Sequence, residues 1–469
     1  MPPINRLGDL LRSKGIILIL GASIIGLSLL LAFKGNTSLL WPVAVWAVIL
    51  LGIVIYAIRP TFMEILLFLF PLLWPAIPAL TKLAPNWVAF GWVVLVAVYY
   101  YVTKCNNDWD RLTIKPHYAF FFILYTVTFV FSVFVNPQHE RALSFMFQTV
   151  ILVVIYWIFV QVLRGVNLNR ALIAMIVGSV VNALIFSFAF LKSTPQFTLQ
   201  GIAYGQLRPD LLGVNANHWP VPSIIGLALI LSLAVHGKVR PRDWILILPT
   251  GVLLLSIALL NVSRSALLGI FLSTIFILIT HYRWRKILLH AFTLFGIVAF
   301  VIISTPLLSK IEVLLRIRSG LAGRDVIWGV AWRVIEDNPI LGVGPANFKE
   351  LLFFKVPFCS RSLAMIVDQP SAHNVFLQIG TEIGLAGTII AIALLVYFCY
   401  RSSVLWQRLK KTSYLPVLVA ITALMIGGLV RSFFAIDFSI LHGAIAMNIK
   451  ILLLLALQDE LSFRSSFNP

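Results

Sequence analysis

The sequence predicts an all-α protein, a polytopic bundle of about 12–14 transmembrane helices, and three observations support this. First, 60% of the 469 residues are hydrophobic and only 11% are charged, whereas a soluble chain carries about a quarter charged residues. Second, apolar segments of membrane-spanning length recur along the chain. Third, basic residues alternate between the loops that join these segments. We therefore treat residues 1–469 as a single membrane domain.

A membrane-spanning helix needs about 20 largely apolar residues, and about fourteen segments satisfy that length. The segments are centred near Ile25, Val48, Phe70, Leu95, Val127, Val153, Ser179, Leu227, Leu253, Ser273, Phe295, Ile389, Ala423 and Met447. Prolines interrupt the pair around Phe70 and Leu95, which leaves a broken or re-entrant helix open there.

The distribution of basic residues predicts the orientation of these helices. Short cytoplasmic loops carry most of the Lys and Arg in membrane proteins. Alternate loops are basic here, at Arg59, Lys104 to Lys115, Arg164 and Arg170, Lys238 to Arg242, Arg283 to Lys286, and Arg401 to Lys411. Both termini are therefore predicted to be cytoplasmic. Two long loops, 191–218 and 305–374, are predicted to be extracytoplasmic, and the second to contain short interfacial helices.

The net charge of +19 does not predict a nucleic-acid partner, because the basic residues are scattered between apolar segments and form no single patch. Cys105, Cys359 and Cys399 are far apart in the sequence. They show no metal-ligand spacing, so neither a zinc site nor a structural disulfide is predicted.

Arginines on the predicted outer side are the first candidates for function. Arg208 lies in a turn-rich loop that continues to Asn217, and it is either a solvated residue beside lipid headgroups or a ligand contact. Arg264 lies between Ser263 and Ser265 at the outer end of a helix, where the positive-inside bias disfavours arginine. It is either a residue that anchors the helix at the lipid headgroups or a residue that binds an anion. The second is plausible chemically because a guanidinium presents a planar fork to phosphate oxygens.

Arg324 begins an amphipathic segment of the second long loop. Apolar residues recur there at helical spacing, and Asn338-Pro339 predicts the end of the helix because proline cannot continue it. Trp328 and Trp332 follow Arg324 at intervals of four residues and share its face. The segment is either a helix lying in the membrane interface or part of a binding site for a sugar phosphate.

His373 and Asn374 lie where this loop returns to the membrane. A histidine at that point can exchange a proton with a substrate near neutral pH. Asn374, Gln378 and Glu382 are spaced by four residues and predict a polar stripe that faces the interior of the bundle. We predict a structural role for Gln378 and Glu382, with Arg431 as one possible partner of Glu382.

The outer loops show neither a His-x-x-x-His pattern nor an Asp-x-Asp cluster, so the sequence predicts no metal and no other cofactor. Several arginines with one histidine suit the binding and departure of a diphosphate. Positive charge there offsets the negative charge that grows on the leaving group.

Taken in order, these residues resemble the O-antigen ligase and polymerase superfamily of integral membrane glycosyltransferases. The matching motifs are Arg208 with the loop after it, Ser263 to Ala266, Gly323-Arg324 with Trp328, Asn338-Pro339 through Gly344, His373-Asn374, and Glu382 through Gly387. The resemblance is strongest over residues 250–400. Asn215-Ala-Asn217 departs from the family pattern, which often has Asn-Pro-Asn.

The resemblance implies a metal-independent, inverting transferase that takes a glycan from undecaprenyl diphosphate. Its acceptor would be the lipid A core or another glycan, in surface polysaccharide assembly at the bacterial inner membrane. Carried over position by position, Arg264, Arg324 and His373 are the expected catalytic residues. Arg208, Asn217, Trp328 and Asn374 are the expected substrate-binding residues.

Four alternatives remain open from the sequence. A polysaccharide polymerase or a protein O-oligosaccharyltransferase would use the same donor and differ only in its acceptor. A transporter of an anion such as bicarbonate would place its polar site near mid-membrane, often on broken helices, and a lipid flippase would need a polar cavity lined by several helices.

Overall fold

The described parts of the chain are helical throughout. The computed structural model describes Trp92 and residues 116–135, 139–165, 168–193, 218–237, 241–261, 263–281, 324–355, 371–434 and 445–467. These residues form α-helices and one short 3-10 turn, Pro241–Asp243, and contain no strand. The predicted all-α class is confirmed.

The α-helices are numbered here in chain order. They are α1 (Ala119–Val135), α2 (His139–Gly165), α3 (Leu168–Ser193), α4 (Pro220–His236), α5 (Trp244–Leu260), α6 (Arg264–Ile279), α7 (Arg324–Asp337), α8 (Phe348–Lys355), α9 (Val375–Leu409), α10 (Leu415–Ser432) and α11 (Ile445–Phe467).

Within the described residues, three helices are long and apolar enough to cross a membrane, namely α3, α9 and α10, and shorter apolar helices accompany them. Every predicted span that is centred in the described residues falls within one of the helices. The spans predicted near Ile25, Val48, Phe70, Leu95 and Phe295 lie outside the described residues. The 14 residues of α7 and the 8 residues of α8 are too few to cross a bilayer, which needs about 20.

Small residues allow the central helices to approach closely. A Cβ atom on Gly269 of α6 would lie 2.9 Å from the carbonyl oxygen of Gly427 of α10. One turn further along, the Ser273 hydroxyl donates to the carbonyl of Ala423 at 2.8 Å. Small residues and interhelical hydrogen bonds stabilise helix pairs in membranes, where lipid is as apolar as the side chains. The Gly269–Gly427 approach and the Ser273–Ala423 hydrogen bond fix the position of α6 against α10. Arg264 is the first residue of α6.

A buried ionic network joins three helices and the residue before α1, at the end of α9 that carries Arg401. The carboxylate of Asp459 (α11) pairs with the Arg401 guanidinium and accepts a hydrogen bond from the Tyr156 hydroxyl (α2). The neighbouring Gln458 accepts from the Tyr118 hydroxyl, and its amide donates to the Ser402 hydroxyl at 2.7 Å. Arg401 and Asp459 are both buried. Val375, at the other end of α9, is about 39 Å away at 1.5 Å per residue.

We predict that Asp459→Ala destabilises the bundle by about 3–5 kcal/mol, because it leaves the buried Arg401 charge without this carboxylate. Thermal unfolding in detergent, followed by circular dichroism, measures the change. Lys410→Ala removes an exposed charge at the same end and is the control, with little expected effect. Unfolding of Asp459→Ala at the wild-type temperature would show that the network does not stabilise the fold.

Candidate active site

Arg264 is the first residue of α6 and its side chain is exposed. Ser263 precedes it in an extended conformation (φ −86°, ψ 95°) at the N-cap position. The first N–H groups of a helix lack partners within the helix, and the helix dipole adds partial positive charge at this end. Arg264 therefore lies where the backbone already favours an anion.

Arg431 reaches the same turn from α10. Its side chain is completely buried, and its Nη1 atom lies 3.3 Å from the Ser265 hydroxyl and 3.5 Å from that of Ser263. Two arginines from different helices are therefore close to the Ser263-Arg264-Ser265 turn. The sequence pattern does not predict that Arg431 lies near the turn of Arg264, because the two residues are 167 positions apart (431 − 264). The pairing of Arg431 with Glu382 stays a prediction.

Helix α7 begins at Arg324 and ends at Asp337, immediately before Asn338-Pro339, as the sequence predicts. Its buried residues are Ile327, Val330, Ala331, Val334 and Ile335. This apolar face packs on α8 and on the start of α9. The opposite face includes Trp332, whose side chain is 57% exposed. The predicted amphipathic helix is confirmed, and it covers the segment that contains His373.

The peptide groups on both sides of Ala372 are fixed by side chains. The Trp328 indole Nε1 donates to the Ala372 carbonyl at 2.9 Å. The Ala372 N–H donates to Oε1 of Gln378 at 2.7 Å. His373 follows with φ 49°, a left-handed conformation that few non-glycine residues adopt. Its Nε2 atom is buried, and the residue as a whole is half-buried.

Asn374 begins α9 as its N-cap. Its side-chain oxygen accepts from the N–H groups of Phe376 at 2.9 Å and Leu377 at 3.2 Å, the usual role of asparagine at a helix start. The stripe continues with a hydrogen bond of 2.6 Å from the Gln378 amide to the Glu382 carboxylate. Asn374, Gln378 and Glu382 are all buried, which confirms that the stripe faces the interior. A substrate contact by Asn374 stays a prediction.

A break in α9 was not expected from the sequence. Gly384 has φ 76° and ψ −170° inside the helix. At this break the turn after α7 docks onto α9, with Val343 N–H donating to the Thr381 carbonyl at 2.8 Å and Gly344 N–H to the Glu382 carbonyl at 3.0 Å. On the other side of the break, Leu385 N–H donates to the Pro339 carbonyl at 2.8 Å.

Glycine is required on both sides of this contact. A Cβ atom on Gly342 (φ 66°) would lie 2.6 Å from the Thr381 carbonyl oxygen, and one on Gly384 would overlap the Ile340 carbonyl. The paired motifs, Gly-x-Gly after α7 and Glu-x-Gly in α9, are the sequence signal for the break. Glycines in a membrane helix also permit close helix packing, so these motifs alone do not predict the break.

Three neighbouring residues at the end of α10 contact three different parts of the site. Arg431 approaches the turn that carries Arg264. Phe433 lies against Phe376 in the first turn of α9, with ring centroids 5.0 Å apart. Phe434 lies against Trp328 of α7, with centroids 6.3 Å apart. The N terminus of α6, the helix that begins with Arg324, and the His373 segment therefore surround one helix end.

Residues 249–392 match the family model of the O-antigen ligase. The chain carries an O-antigen ligase domain. The match confirms the resemblance seen in the motifs, and it implies activity of the O-antigen ligase or polymerase type, that of a membrane glycosyltransferase. No curated protein matches the chain.

The O-antigen ligase domain contains Arg264, Arg324 and His373, whereas Arg431 and the two phenylalanines at the end of α10 lie beyond the matched residues. The domain thus depends on a later helix to hold its parts together. The roles predicted for Arg264, Arg324, His373 and Trp328 stay predictions. Arg208 and Asn217 lie outside the described residues.

Metal ligands are sparse around the O-antigen ligase domain. Within the parts of the chain that the structure describes, no group of three or more His, Cys, Asp or Glu side chains is close enough to hold a metal ion. The positive groups that the described site offers are guanidinium groups and a helix N terminus.

Proposed function

We propose that this protein transfers a glycan from undecaprenyl diphosphate to an acceptor hydroxyl at the extracytoplasmic face of a bacterial cytoplasmic membrane, acting as a ligase. The acceptor is the lipid A core or another glycan of the cell surface. The observation that carries the proposal is the grouping of an arginine-bearing helix N terminus, the Arg324 helix and the His373 segment around the end of α10.

The reaction requires a general base for the acceptor hydroxyl and positive groups that bind the leaving diphosphate. We assign both to residues of the candidate site. A hydroxyl oxygen of the acceptor attacks the anomeric carbon of the donor, while the bond from that carbon to the diphosphate oxygen breaks. The hydroxyl proton passes to the His373 imidazole, which acts as a general base. A single displacement of this kind inverts the anomeric configuration.

The leaving group is undecaprenyl diphosphate, on which negative charge grows as the bond breaks. Arg264 and Arg324 bind its oxygens, and the N terminus of α6 adds positive partial charge. Such fixed charges stabilise a transition state more than a ground state when they point to the atoms where charge develops. Trp328, one turn after Arg324 on α7, offers an aromatic face to a sugar ring.

The break in α9 is the observation that favours a transporter instead, since broken helices often form transport sites. In transporters, the carbonyl groups freed at such a break coordinate ions. Here the carbonyls of Thr381 and Glu382 accept hydrogen bonds from Val343 and Gly344, so they are occupied by the protein itself. This occupancy favours the transferase.

Purified protein with undecaprenyl-diphosphate glycan and candidate acceptors tests the proposal. We expect acceptor-dependent release of undecaprenyl diphosphate, unchanged by EDTA, and a loss of about 100-fold or more in Arg264→Ala and in Arg324→Ala, as for other charge-stabilising groups. Arg333→Ala is the matched control, because Arg333 lies on the exposed face of α7. Saturable anion flux in liposomes without any release would instead establish the transporter. Loss of activity with EDTA would contradict the metal-free mechanism.

A further inference from the structure

The segment that presents His373 is held by a chain of buried hydrogen bonds that has no role in the reaction just described. The chain begins at the Ala372 N–H, passes to Oε1 of Gln378 at 2.7 Å, and continues from Nε2 of Gln378 to the Glu382 carboxylate at 2.6 Å. Gln378 and Glu382 are 8% and 3% exposed. Water therefore has little access to these groups.

Each bond in this chain determines the orientation of the next. A backbone N–H can only donate, so the Gln378 side chain must turn its oxygen to Ala372. Its NH₂ group then points along the helix, where it needs an acceptor, and the Glu382 carboxylate supplies one. The amide thus has one orientation, and a wrongly turned amide would place donor against donor.

Glu382 is itself fixed at the break in α9. Its backbone carbonyl accepts from the Gly344 N–H at 3.0 Å and lies 2.8 Å from the Ser132 hydroxyl of α1. The hydrogen-bonded chain is therefore anchored to two other elements of the bundle. At its other end, the Trp328 indole holds the carbonyl of the peptide that joins Ala372 to His373.

We propose that Gln378 and Glu382 are positioning residues for His373, an inference that rests on the proposed function. With the Ala372 peptide groups held on both sides and φ of His373 at 49°, the direction of the bond from Cα to Cβ of His373 is set. The side chain of His373 therefore leaves the backbone in a fixed direction before the substrate binds. Neither side chain touches the substrate, and both act through the backbone.

A pair of variants that exchanges the two side chains tests this positioning. Gln378→Glu alone places a second carboxylate next to that of Glu382 in a buried site, and we expect kcat to fall about 100-fold, the loss typical of a misplacement of about 1 Å. Adding Glu382→Gln restores one amide and one carboxylate in reversed order. The introduced carboxylate can accept from Ala372 and from the introduced amide, so we expect recovery of at least tenfold over the single variant.

The separation of kcat from KM distinguishes positioning from a purely structural role. We expect Gln378→Leu to lower kcat about 100-fold with KM for the donor changed less than threefold, in a protein that still folds although its unfolding temperature falls, because buried polar groups lose a partner. Thr388→Val is the matched control, since it removes a hydrogen bond to Gly384 in the same helix without reaching Ala372. We expect its kcat to equal the wild-type value.

Two results would overturn the inference. One is a wild-type kcat in folded Gln378→Leu, and the other is a double variant no more active than Gln378→Glu alone. Either result leaves the proposed function intact, provided that His373→Asn is inactive in the same assay. Full activity of His373→Asn would instead remove the base from the proposed function itself.

Discussion

We expect His373→Asn to lower the rate of undecaprenyl diphosphate release in the proposed reaction by about 1000-fold, within the usual range for loss of a general base. Asparagine tolerates the left-handed backbone of this position (φ 49°) better than most residues, so the variant keeps the turn and loses the proton acceptor. Alanine would add strain and make a loss of rate ambiguous. Initial rates measured with saturating donor and acceptor, together with the unfolding temperature, separate the two effects.

His236→Asn is the control for this experiment, because it makes the same change near the other end of the bundle. His236 bonds the Thr280 hydroxyl at 3.0 Å and lies beside Trp406 of α9. We expect a wild-type rate from it. If His373→Asn were as active as the wild type, the position would require only a left-handed backbone and no imidazole.

We expect Gly384→Ala to prevent the turn after α7 from docking onto α9 and to lower the free energy of unfolding by several kcal/mol. The backbone at φ 76°, ψ −170° is accessible essentially to glycine alone and costs other residues about 1–3 kcal/mol. In addition, the new methyl group would overlap the Ile340 carbonyl. The hydrogen bonds from Val343, Gly344 and Leu385 cannot form at their present lengths once the two segments separate.

The yield of folded protein and its unfolding temperature in detergent measure this effect. Gly329→Ala is the matched control, since a Cβ atom there meets nothing within 4 Å and alanine favours a helix by about 0.5–1 kcal/mol over glycine. We expect Gly329→Ala to be at least as stable as the wild type. Equal stability of Gly384→Ala and Gly329→Ala would show that the break does not depend on glycine.

Local patterns in the sequence were sufficient to predict the helices and the faces that they bury. The apolar spacing after Arg324 predicted both the extent and the buried face of α7, because helical periodicity needs only neighbouring residues. The stripe from Asn374 to Glu382 was predicted to face inward for the same reason, since lipid excludes polar groups.

Contacts between distant segments could not be predicted in this way. Arg431 and the serines around Arg264 belong to different helices, and no periodicity relates them. The Arg401–Asp459 pair has the same character, because charges near the ends of membrane helices are usually interpreted as interfacial anchors. The break at Gly384 was missed because glycine in a membrane helix also permits close packing, and the sequence does not distinguish the two uses.

The Ser132 hydroxyl near the Leu341 and Glu382 carbonyls has a consequence for the order of folding during synthesis. The hydrogen bond from Ser132 to Glu382 joins positions 250 residues apart (382 − 132). It can therefore form only after α9 has been synthesised. A backbone opened in lipid without partners is unstable, and α9 therefore acquires its bend only when the turn after α7 contacts it. The turn after α7 and the bend in α9 therefore reach their final conformations together.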